Sequence, residues 1–366
     1  MDPAFMWFRI VYMDRYLSLL LGLPQGTTDK SMALTLQNET PLGKFERQLA
    51  VIASQILERN EHSLKDNSFT NHFAMTQSID TQLLEVSRSM PSSFWRPANF
   101  QGLTPGSPDA LLETVRLSCH VYYNSLLIQL HLPCAISGMG SHTEYEYSKV
   151  TCVNASREIL TRFIAHRTFN PMSSCSRPVD FFAFLAAMTI LLTYLDAYCE
   201  ATNFLAHQRL GDRAILEQVL DLMDIVSKMD KDAMTQKSAE VIRHLLDIEA
   251  DAFGGVTYTR TIAEESQSTP QEILQNEKEL CLHIPYLGSI KIARQTPPSV
   301  TGRSHDAEFR LEQPNITTDD GSFIYPRLSL IEEHQSQMDI PTITAGVDDW
   351  AFQGVDMAFF DSLTKE

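Results

Sequence analysis

Histidine and cysteine are the residue types in this chain that could bind a metal or act as a base or nucleophile. The eleven histidines are dispersed, and no two have the His-x3-His spacing that places both rings on one helical face. No two of the six cysteines form the Cys-x2-Cys pair from which zinc sites are built. Most of them lie among apolar residues, where a free thiol acts as a small hydrophobic group, which is typical of a reducing compartment. The sequence therefore predicts no bound metal. The cysteines are Cys119, Cys134, Cys152, Cys175, Cys199 and Cys281.

Three other catalytic patterns fail on their context. The string "GMGS" at residues 138–141 lacks the third glycine and the strand-to-helix setting of a nucleotide fingerprint. A helical enzyme acting on prenyl chains needs an aspartate-rich magnesium motif on a buried helix, but the Asp pair at 319–320 follows a turn pattern and the pair at 348–349 lies near the end. No Gly-x-Ser-x-Gly nucleophile elbow is present. The sequence predicts no catalytic residue and no cofactor, and we expect that the chain is not an enzyme.

The last residues have a composition suited to binding. Residues 339–366 contain six acidic residues and one basic residue, a net charge of −5. In such segments acids keep aromatic groups solvated until these enter a partner's groove, as in amphipathic activation domains. Either the segment binds coactivators, or it packs on its own domain as a last core helix; a segment that did both in turn would be a switch. The candidate contact residues are Trp350, Phe352, Val355, Met357, Phe359, Phe360 and Leu363, of which Phe352, Val355, Phe359 and Leu363 share one helical face.

The chain as a whole is acidic. Its 366 residues include 46 acids and 29 Lys and Arg residues, a formal net charge of −17. Binding to DNA requires a basic surface that displaces phosphate counterions, and no run of Lys and Arg supplies one or forms an import signal. We therefore expect that this chain alone does not bind DNA.

Helical periodicity dominates the first 255 residues. Ser107, Pro108 and Asp109 predict a helix start, because Ser caps, Pro suits the first turn and Asp complements the helix dipole. Pro133 is predicted to end this helix. Eight or so helices without intervening strand signals predict an all-α, bundle-like domain at residues 1–255. The apolar positions that define further helices are Leu42, Phe45, Leu49, Ile52 and Ile56, then Ile79, Leu83, Leu84 and Val86, then Val150, Val153, Ile159 and Phe163, then Ile215, Leu216, Val219, Leu220, Met223 and Val226, and finally Val241, Ile242, Leu245 and Leu246.

Two segments are apolar enough to suggest a membrane helix or signal peptide, but their charged residues and length argue against both. Residues 7–26 are interrupted by Asp14 and Arg15 and lack the basic start of a signal peptide. Between Asp180 and Asp196 the apolar stretch has 15 residues, fewer than the roughly 20 that a bilayer needs. We expect a central core helix at 180–196 and no membrane association.

The first segment instead predicts an amphipathic helix. Its apolar face is expected at Ile10, Met13, Leu17 and Leu20, with Gly22 and Pro24 ending the helix. Asp14 and Arg15 are adjacent on the helix and point in different directions, so they do not pair with each other. Either each reaches a partner on another helix and so orients the first helix, or they contact a ligand.

After Gly254 and Gly255 the composition changes. Residues 256–272 are rich in Thr, Ser, Glu and Gln and predict a linker. The string "LCLHIPYLGSIKIAR" then predicts a β-hairpin, and "EFRLEQ" with "SFIYPRLSLI" a second strand pair. Residues 332–347 are expected to be flexible. The predicted fold is mainly α, with a linker and small β appendage at 256–335 and an acidic-aromatic tail at 336–366.

The string Trp-x4-Tyr-x-Asp-Arg-x-Leu-Ser-x3-Gly-x-Pro resembles the start of the fungal-specific transcription factor domain, the helical middle region of fungal zinc-cluster transcription factors. The residues that carry the resemblance are Trp7, Tyr12, Asp14, Arg15, Leu17, Ser18, Gly22 and Pro24. It extends to "MPSSFWRP" at 90–97 and, more loosely, to the β segment. None of these motifs is catalytic.

The resemblance implies a regulatory domain in the nucleus that answers to a small-molecule inducer and to coactivator or co-repressor proteins, and that forms homodimers in some members. Such proteins carry a six-cysteine zinc cluster near the N-terminus, which this sequence lacks. Zinc is therefore expected only in an N-terminal module that this sequence does not contain. The module is expected to be missing because the sequence is a fragment, because the gene is truncated, or because the module was lost naturally. The alternative is a helical small-molecule-binding protein or enzyme without a role in transcription.

Overall fold

The computed structural model describes residues 3–27, 40–65, 69–137, 142–171, 177–198, 205–230, 232–263, 279–284 and 288–295. These residues all belong to one compact unit. They form eight α-helices and one short 3-10 helix, Ala206–Gln208, in front of the seventh. The α-helices are α1 (Pro3–Leu21), α2 (Pro41–Lys65), α3 (Phe69–Arg88), α4 (Pro108–Ser137), α5 (His142–Phe169), α6 (Arg177–Ala197), α7 (Arg209–Asp230) and α8 (Ala233–Phe253).

Helix α6 occupies the centre of the core. Its side chains from Val179 to Tyr194 are almost all buried, because α5, α7, α8 and α4 pack around it. Among the described residues it is the one helix long and apolar enough to cross a membrane, by length and composition only, and 89% of that window is buried inside the protein. This burial agrees with the core helix that the sequence predicts.

Helix α1 packs against α2, but on a different face from the one predicted. Its buried side chains include Phe8, Val11 and Leu19, whereas Ile10 is 53% exposed. Met13 and Leu17 are half-buried, and of the predicted face only Leu20 is fully buried. Nearly every position of this helix is apolar, so the spacing alone fits more than one face. The packing partner decides which face is inside.

Helix α4 begins as predicted but does not end at Pro133. The Ser107 hydroxyl accepts a hydrogen bond from Ala110 N (3.2 Å), which makes Ser107 the cap, and the helix then continues through Pro133 to Ser137. The prediction that Pro133 ends the helix is therefore wrong. A proline removes one backbone donor and leaves the carbonyl four residues earlier without its helical partner. Here that carbonyl belongs to Gln129, and it accepts from Arg59.

Two other side chains differ from the predicted pattern. Leu84 (44% exposed) and Val150 (40% exposed) lie beside the buried rows of their helices, not within them. The remaining predicted apolar positions of α2, α3, α5, α7 and α8 are buried or pack against the core. The mainly α fold is confirmed for the described residues.

The β segment is a three-stranded antiparallel sheet of order β1-β3-β2. The strands are β1 (Tyr258–Ala263), β2 (Glu279–Ile284) and β3 (Gly288–Arg294). The pair β2 and β3 is the predicted hairpin, with Leu282 opposite Ile290. Leu282, Ile290 and Ile292 are buried in the same apolar cluster as the helices, so the sheet is anchored to the domain.

Strand β1 replaces the first part of the linker predicted at 256–272, and residues 264–272 lie outside the described residues. Its β-branched Thr259 and Thr261 suit a strand, and its backbone pairs with β3 about thirty residues later, as Thr259 with Ala293. The local composition gives no information about a partner strand so distant in the sequence. The second predicted strand pair, the stretch 332–347 and the tail residues from Trp350 to Leu363 lie outside the described residues.

Candidate functional site

The residues of the recognised N-terminal motif form the end of α1 and the loop that follows. Gly22 has a φ of 69°, and Leu23 N donates to Ser18 O (3.0 Å), which together make a Schellman cap. The Ser18 hydroxyl donates to Pro24 O (3.3 Å) and holds the loop against the helix. Ser18, Gly22 and Pro24 therefore act together to reverse the chain.

Asp14 completes this loop. One carboxylate oxygen accepts from Gly26 N (2.9 Å) and the other from Thr27 N (3.1 Å). A Cβ atom at Gly26 would lie 2.7 Å from Asp14 Oδ1, so a larger residue at this position would displace the carboxylate. The expectation that Asp14 reaches another helix is therefore wrong. The chain reversal at Gly22 brings the loop back alongside Asp14, so the nearest donors belong to this loop.

Arg15 connects α1 to α2. Its side chain is 3% exposed, and Nη1 donates to the backbone oxygen of Ala50 (2.9 Å). Tyr12 packs on Tyr122 of α4, with ring centroids 4.9 Å apart, while Trp7 is 44% exposed. The described contacts of Asp14 and Arg15 orient a helix and its loop.

A second polar centre, which the sequence did not reveal, surrounds Arg59 of α2. This side chain has no exposed surface, and Nη1 donates to Leu130 O (2.5 Å) and to Thr76 Oγ1 (2.9 Å). Nη2 donates to Gln129 O (3.2 Å), and Nη2 and Nε both donate to Asn60 Oδ1 (2.7 and 3.1 Å). All these acceptors are neutral, and burial lowers the pKa of Arg59 to about 10. Arg59 thus joins α2 to α3 and supplies the donor that Pro133 removes from α4.

Beside this centre, His131 of α4 lies between α3 and α5. Its Nε2 is 3.3 Å from Asp80 Oδ1 and its Nδ1 is 3.3 Å from Ser148 Oγ. The Tyr147 hydroxyl donates to Asp80 Oδ2 (2.6 Å). Burial acts to raise the pKa of Asp80, but hydrogen bonds from His131 and Tyr147 outweigh it and lower that pKa.

Buried carboxylates on α6, α7 and α8 are each neutralised by an arginine. Arg157 forms a bidentate ion pair with Asp212, in which Nε donates to Oδ1 and Nη2 to Oδ2, both at 2.7 Å. The Tyr194 hydroxyl donates to Oδ2 of the same carboxylate (2.7 Å). A similar group consists of Arg209 on α7, Glu249 on α8 and Tyr198 directly after α6, with Arg209 Nε 2.6 Å from Glu249 Oε1. The third pair is Arg167 with Asp180. An acid held in this way accepts hydrogen bonds from fixed donors and is not poised to act as a base.

Two buried histidines are held in the neutral form. Arg162 Nε donates to His120 Nδ1 (2.9 Å), and the imidazole stacks on Trp95 with ring centroids 5.1 Å apart. Burial and the nearby guanidinium groups of Arg162 and Arg116 lower the pKa of His120 to about 3. Burial and Arg167 lower the pKa of His166 to about 4.

These histidines predict a loss of stability in mild acid. In the unfolded chain a histidine has a pKa of about 6.5, so below that pH the unfolded state binds protons that the folded state does not. Their contribution is complete above pH 6.5 and is lost as the pH falls toward 4 and 3. We expect each histidine to lower the free energy of unfolding by about 2 kcal/mol between pH 7 and pH 5.

Urea titrations at pH 7, 6 and 5 measure this effect, and His120→Gln is the control. Glutamine keeps a hydrogen-bond acceptor but cannot titrate, so the variant should lose about half of the pH dependence. A free energy of unfolding that stays constant from pH 7 to pH 5 would contradict the assignment, as would an unchanged slope in the variant.

Ser148, His131 and Asp80 form a Ser-His-Asp chain of side chains, but the serine at its end has no exposed surface. In the part of the chain that the structure describes, no group of three or more His, Cys, Asp or Glu residues could hold a metal ion. Cys119, Cys134 and Cys152 are buried, and burial raises the pKa of the Cys152 thiol, which keeps it protonated and unreactive. The polar centres of this domain fix its helices.

Comparison with known proteins gives the chain a context. It is 34% identical to the dehydrocurvularin biosynthesis regulator of Aspergillus terreus and 33% identical to that of Alternaria cinerariae, with 100% of the chain matched in both. It is also 34% identical, over 99% of its length, to the probable transcription factor gsfR1 of Penicillium aethiopicum. The chain is similar over its whole length to these fungal transcription regulators. The resemblance carried by residues 7–24 is thereby confirmed.

The alignments cover only part of each relative. The chain spans 57%, 58% and 57% of the lengths of the three proteins named. No family model matches the chain, and no solved structure matches it. The homology covers α1 to α8 and the sheet alike, because practically the whole chain is aligned.

Proposed function

We propose that the chain is the regulatory portion of a fungal transcription regulator that controls a biosynthetic pathway. The observation that carries this proposal is the match of the entire chain to two proteins named as regulators of dehydrocurvularin biosynthesis. The described residues are consistent with a non-catalytic role, since their buried acids are held by arginines and their cysteines are buried. The pathway controlled by this chain is a separate question, because the relatives are about one third identical to it.

The partners that this role implies are proteins and small molecules. The acidic-aromatic tail has the composition that coactivators or co-repressors bind, with the aromatic groups supplying the contact area. A small-molecule inducer and a second copy of the chain are further candidates within the same role, and the nucleus is the compartment that it requires.

A reporter assay tests the proposal directly. The full chain is fused to an unrelated DNA-binding domain, and output from a promoter carrying its sites is compared with that of the DNA-binding domain alone. We expect output to change at least several-fold, upward for an activator and downward for a repressor. Equal output from both proteins, at matched expression in a fungal host, would reject the transcriptional role.

The chain itself is proposed not to bind duplex DNA. A net charge of −17 opposes approach to phosphate, and no basic run offsets it. Gel-shift titration at physiological salt should show no complex at micromolar protein. A shift that weakens steeply with added salt would overturn this prediction, because such dependence marks contacts to phosphates.

A further inference from the structure

Three pairs of a serine or threonine followed by a proline lie in the described part of the chain. Such a pair is the minimal sequence that proline-directed protein kinases recognise, so the sequence alone does not distinguish the three hydroxyl groups. The pairs are Thr40-Pro41, Thr104-Pro105 and Ser107-Pro108. Two further pairs, at 269–270 and 296–297, lie outside the described residues. The surroundings of the three described hydroxyl groups differ.

Two of the three hydroxyl groups cap helices. Thr40 Oγ1 accepts from Gly43 N (3.1 Å) at the start of α2, and Ser107 Oγ accepts from Ala110 N (3.2 Å) at the start of α4. In both cases the residue is half-buried and the following proline is the first residue of the helix. A kinase binds its substrate peptide in an extended form, so it would reach these two hydroxyl groups only after the first helical turn has opened.

Thr104 lies in a turn that leaves its hydroxyl group accessible. Ser107 N donates to Thr104 O (3.0 Å), and Gly106, which follows Pro105, has a φ of 86°, as in a type II turn. In such a turn the residue before the proline and the proline itself both have extended backbones. Thr104 is exposed, and its hydroxyl group forms no hydrogen bond with another described residue.

The space around this turn is open as well. A Cβ atom added at Gly102 or at Gly106 would meet no atom within 4 Å. Pro105 and Gly106 are exposed, so the two residues after Thr104 face solvent as Thr104 does. A kinase can therefore hold the Thr104-Pro105 pair in its substrate cleft while α4 stays folded.

We infer that Thr104 is a phosphorylation site for a proline-directed protein kinase, and that Thr40 and Ser107 are protected by the helices that they cap. In the transfer, Thr104 Oγ1 bonds to the γ-phosphorus of ATP, and the bond from that phosphorus to the bridging oxygen of the departing ADP breaks. The hydroxyl proton passes to the catalytic aspartate of the kinase. The phosphate adds about −1.5 to −2 charges to the loop at pH 7. The modification is independent of the proposed function, whereas its use as a regulatory signal rests on that function.

Phosphorylation of the full chain by a mitogen-activated protein kinase with ATP tests the inference. Peptides of residues 31–44 and 98–112 are phosphorylated in parallel, because isolated segments of this length hold the same hydroxyl groups without a stable helix. Mass spectrometry gives the rate at each site in both forms. We expect Thr104 to react in the folded chain within about threefold of its rate in the peptide, whereas Thr40 and Ser107 should react at least tenfold more slowly than in the peptides.

Three variants of the full chain control for the acceptor and for the proline. Thr104→Ser keeps a hydroxyl group and should still be modified, whereas Thr104→Ala should lose the phosphate at this position alone. Pro105→Ala keeps the hydroxyl group but removes the residue that the kinase requires, so modification of Thr104 should fall at least tenfold. Both positions are exposed, so circular dichroism melting should show all three variants folded like the parent chain.

Three outcomes would overturn the inference. These are no phosphate at Thr104 in the folded chain, modification of Thr40 or Ser107 in the folded chain at its peptide rate, and unchanged modification of Thr104 in the Pro105→Ala chain. The reporter assay is read separately. A reporter without response, together with phosphorylation of Thr104, would reject the transcriptional role and leave the phosphorylation site in place.

Discussion

Replacing Arg59 with methionine should lower the free energy of unfolding by roughly 3–5 kcal/mol. Methionine fills much of the same volume, so the loss arises from hydrogen bonds and not from a cavity. Without the guanidinium group, Thr76 and Asn60 lose their donor, and Gln129 O has no helical partner because Pro133 lacks an N–H. A buried polar group left without a partner costs about 1–3 kcal/mol.

A double-mutant cycle with Pro133→Ala isolates the part that depends on the proline. Alanine restores the N–H that bonds to Gln129 O, so Arg59→Met should cost about 1 kcal/mol less in the Pro133→Ala chain than in the parent. Urea unfolding of the four proteins at pH 7 gives this coupling. Additive effects of the two substitutions would show that Arg59 does not compensate for Pro133.

Arg243→Met is the matched control for Arg59→Met. Arg243 contacts Asp224, but both side chains are well exposed, at 43% and 37%. Exposed ion pairs contribute about 0–1 kcal/mol. A loss of similar size for the two arginines would contradict the importance assigned to the buried centre, as would a loss below 1 kcal/mol for Arg59→Met.

The same centre shows what the sequence can and cannot reveal about this fold. Periodic spacing located the helices, because each buries one row of side chains, and alternation located the β2–β3 hairpin. A proline predicts a helix end when only local backbone bonds are considered. The continuation of α4 depends on Arg59, which is seventy residues away from Gln129, and no local pattern contains that contact.

The functional residues also divide into those with contacts close in the sequence and those with contacts to distant residues. Ser18, Gly22 and Pro24 act within one turn of chain, so their spacing carries the information that they form a helix end. The partner of Asp212 is Arg157, 55 residues earlier, and the partner of Glu249 is Arg209, 40 residues earlier. Such pairs are set by the tertiary packing of α5 to α8. A charge count alone gives no indication that these acids are neutralised.

Helix α1 shows a further limit. Its sequence is apolar on nearly all sides, so the choice between Ile10 and Val11 as the inward residue depends on α2 and α4, which pack against it. The predicted face and the observed face differ for this reason.

The second large effect is expected in the tail. Replacing Phe359 and Phe360 with alanine should reduce the reporter output of the fused chain to that of the DNA-binding domain alone, if the chain is an activator. Aromatic groups supply most of the contact energy in such segments, while acids chiefly promote encounter and solubility. An activation segment contacts a partner and not the core of its own domain, so in that case the melting temperature should stay within about 2 °C of the parent.

If the tail instead packs as a core helix of its own domain, the substitutions should lower the melting temperature. Two buried phenylalanines contribute roughly 3–5 kcal/mol each, so the same variant would melt much earlier or aggregate. Leu210→Ala on α7 is the control for removal of an exposed apolar side chain, since Leu210 is 75% exposed. It should change neither the reporter output nor the melting temperature.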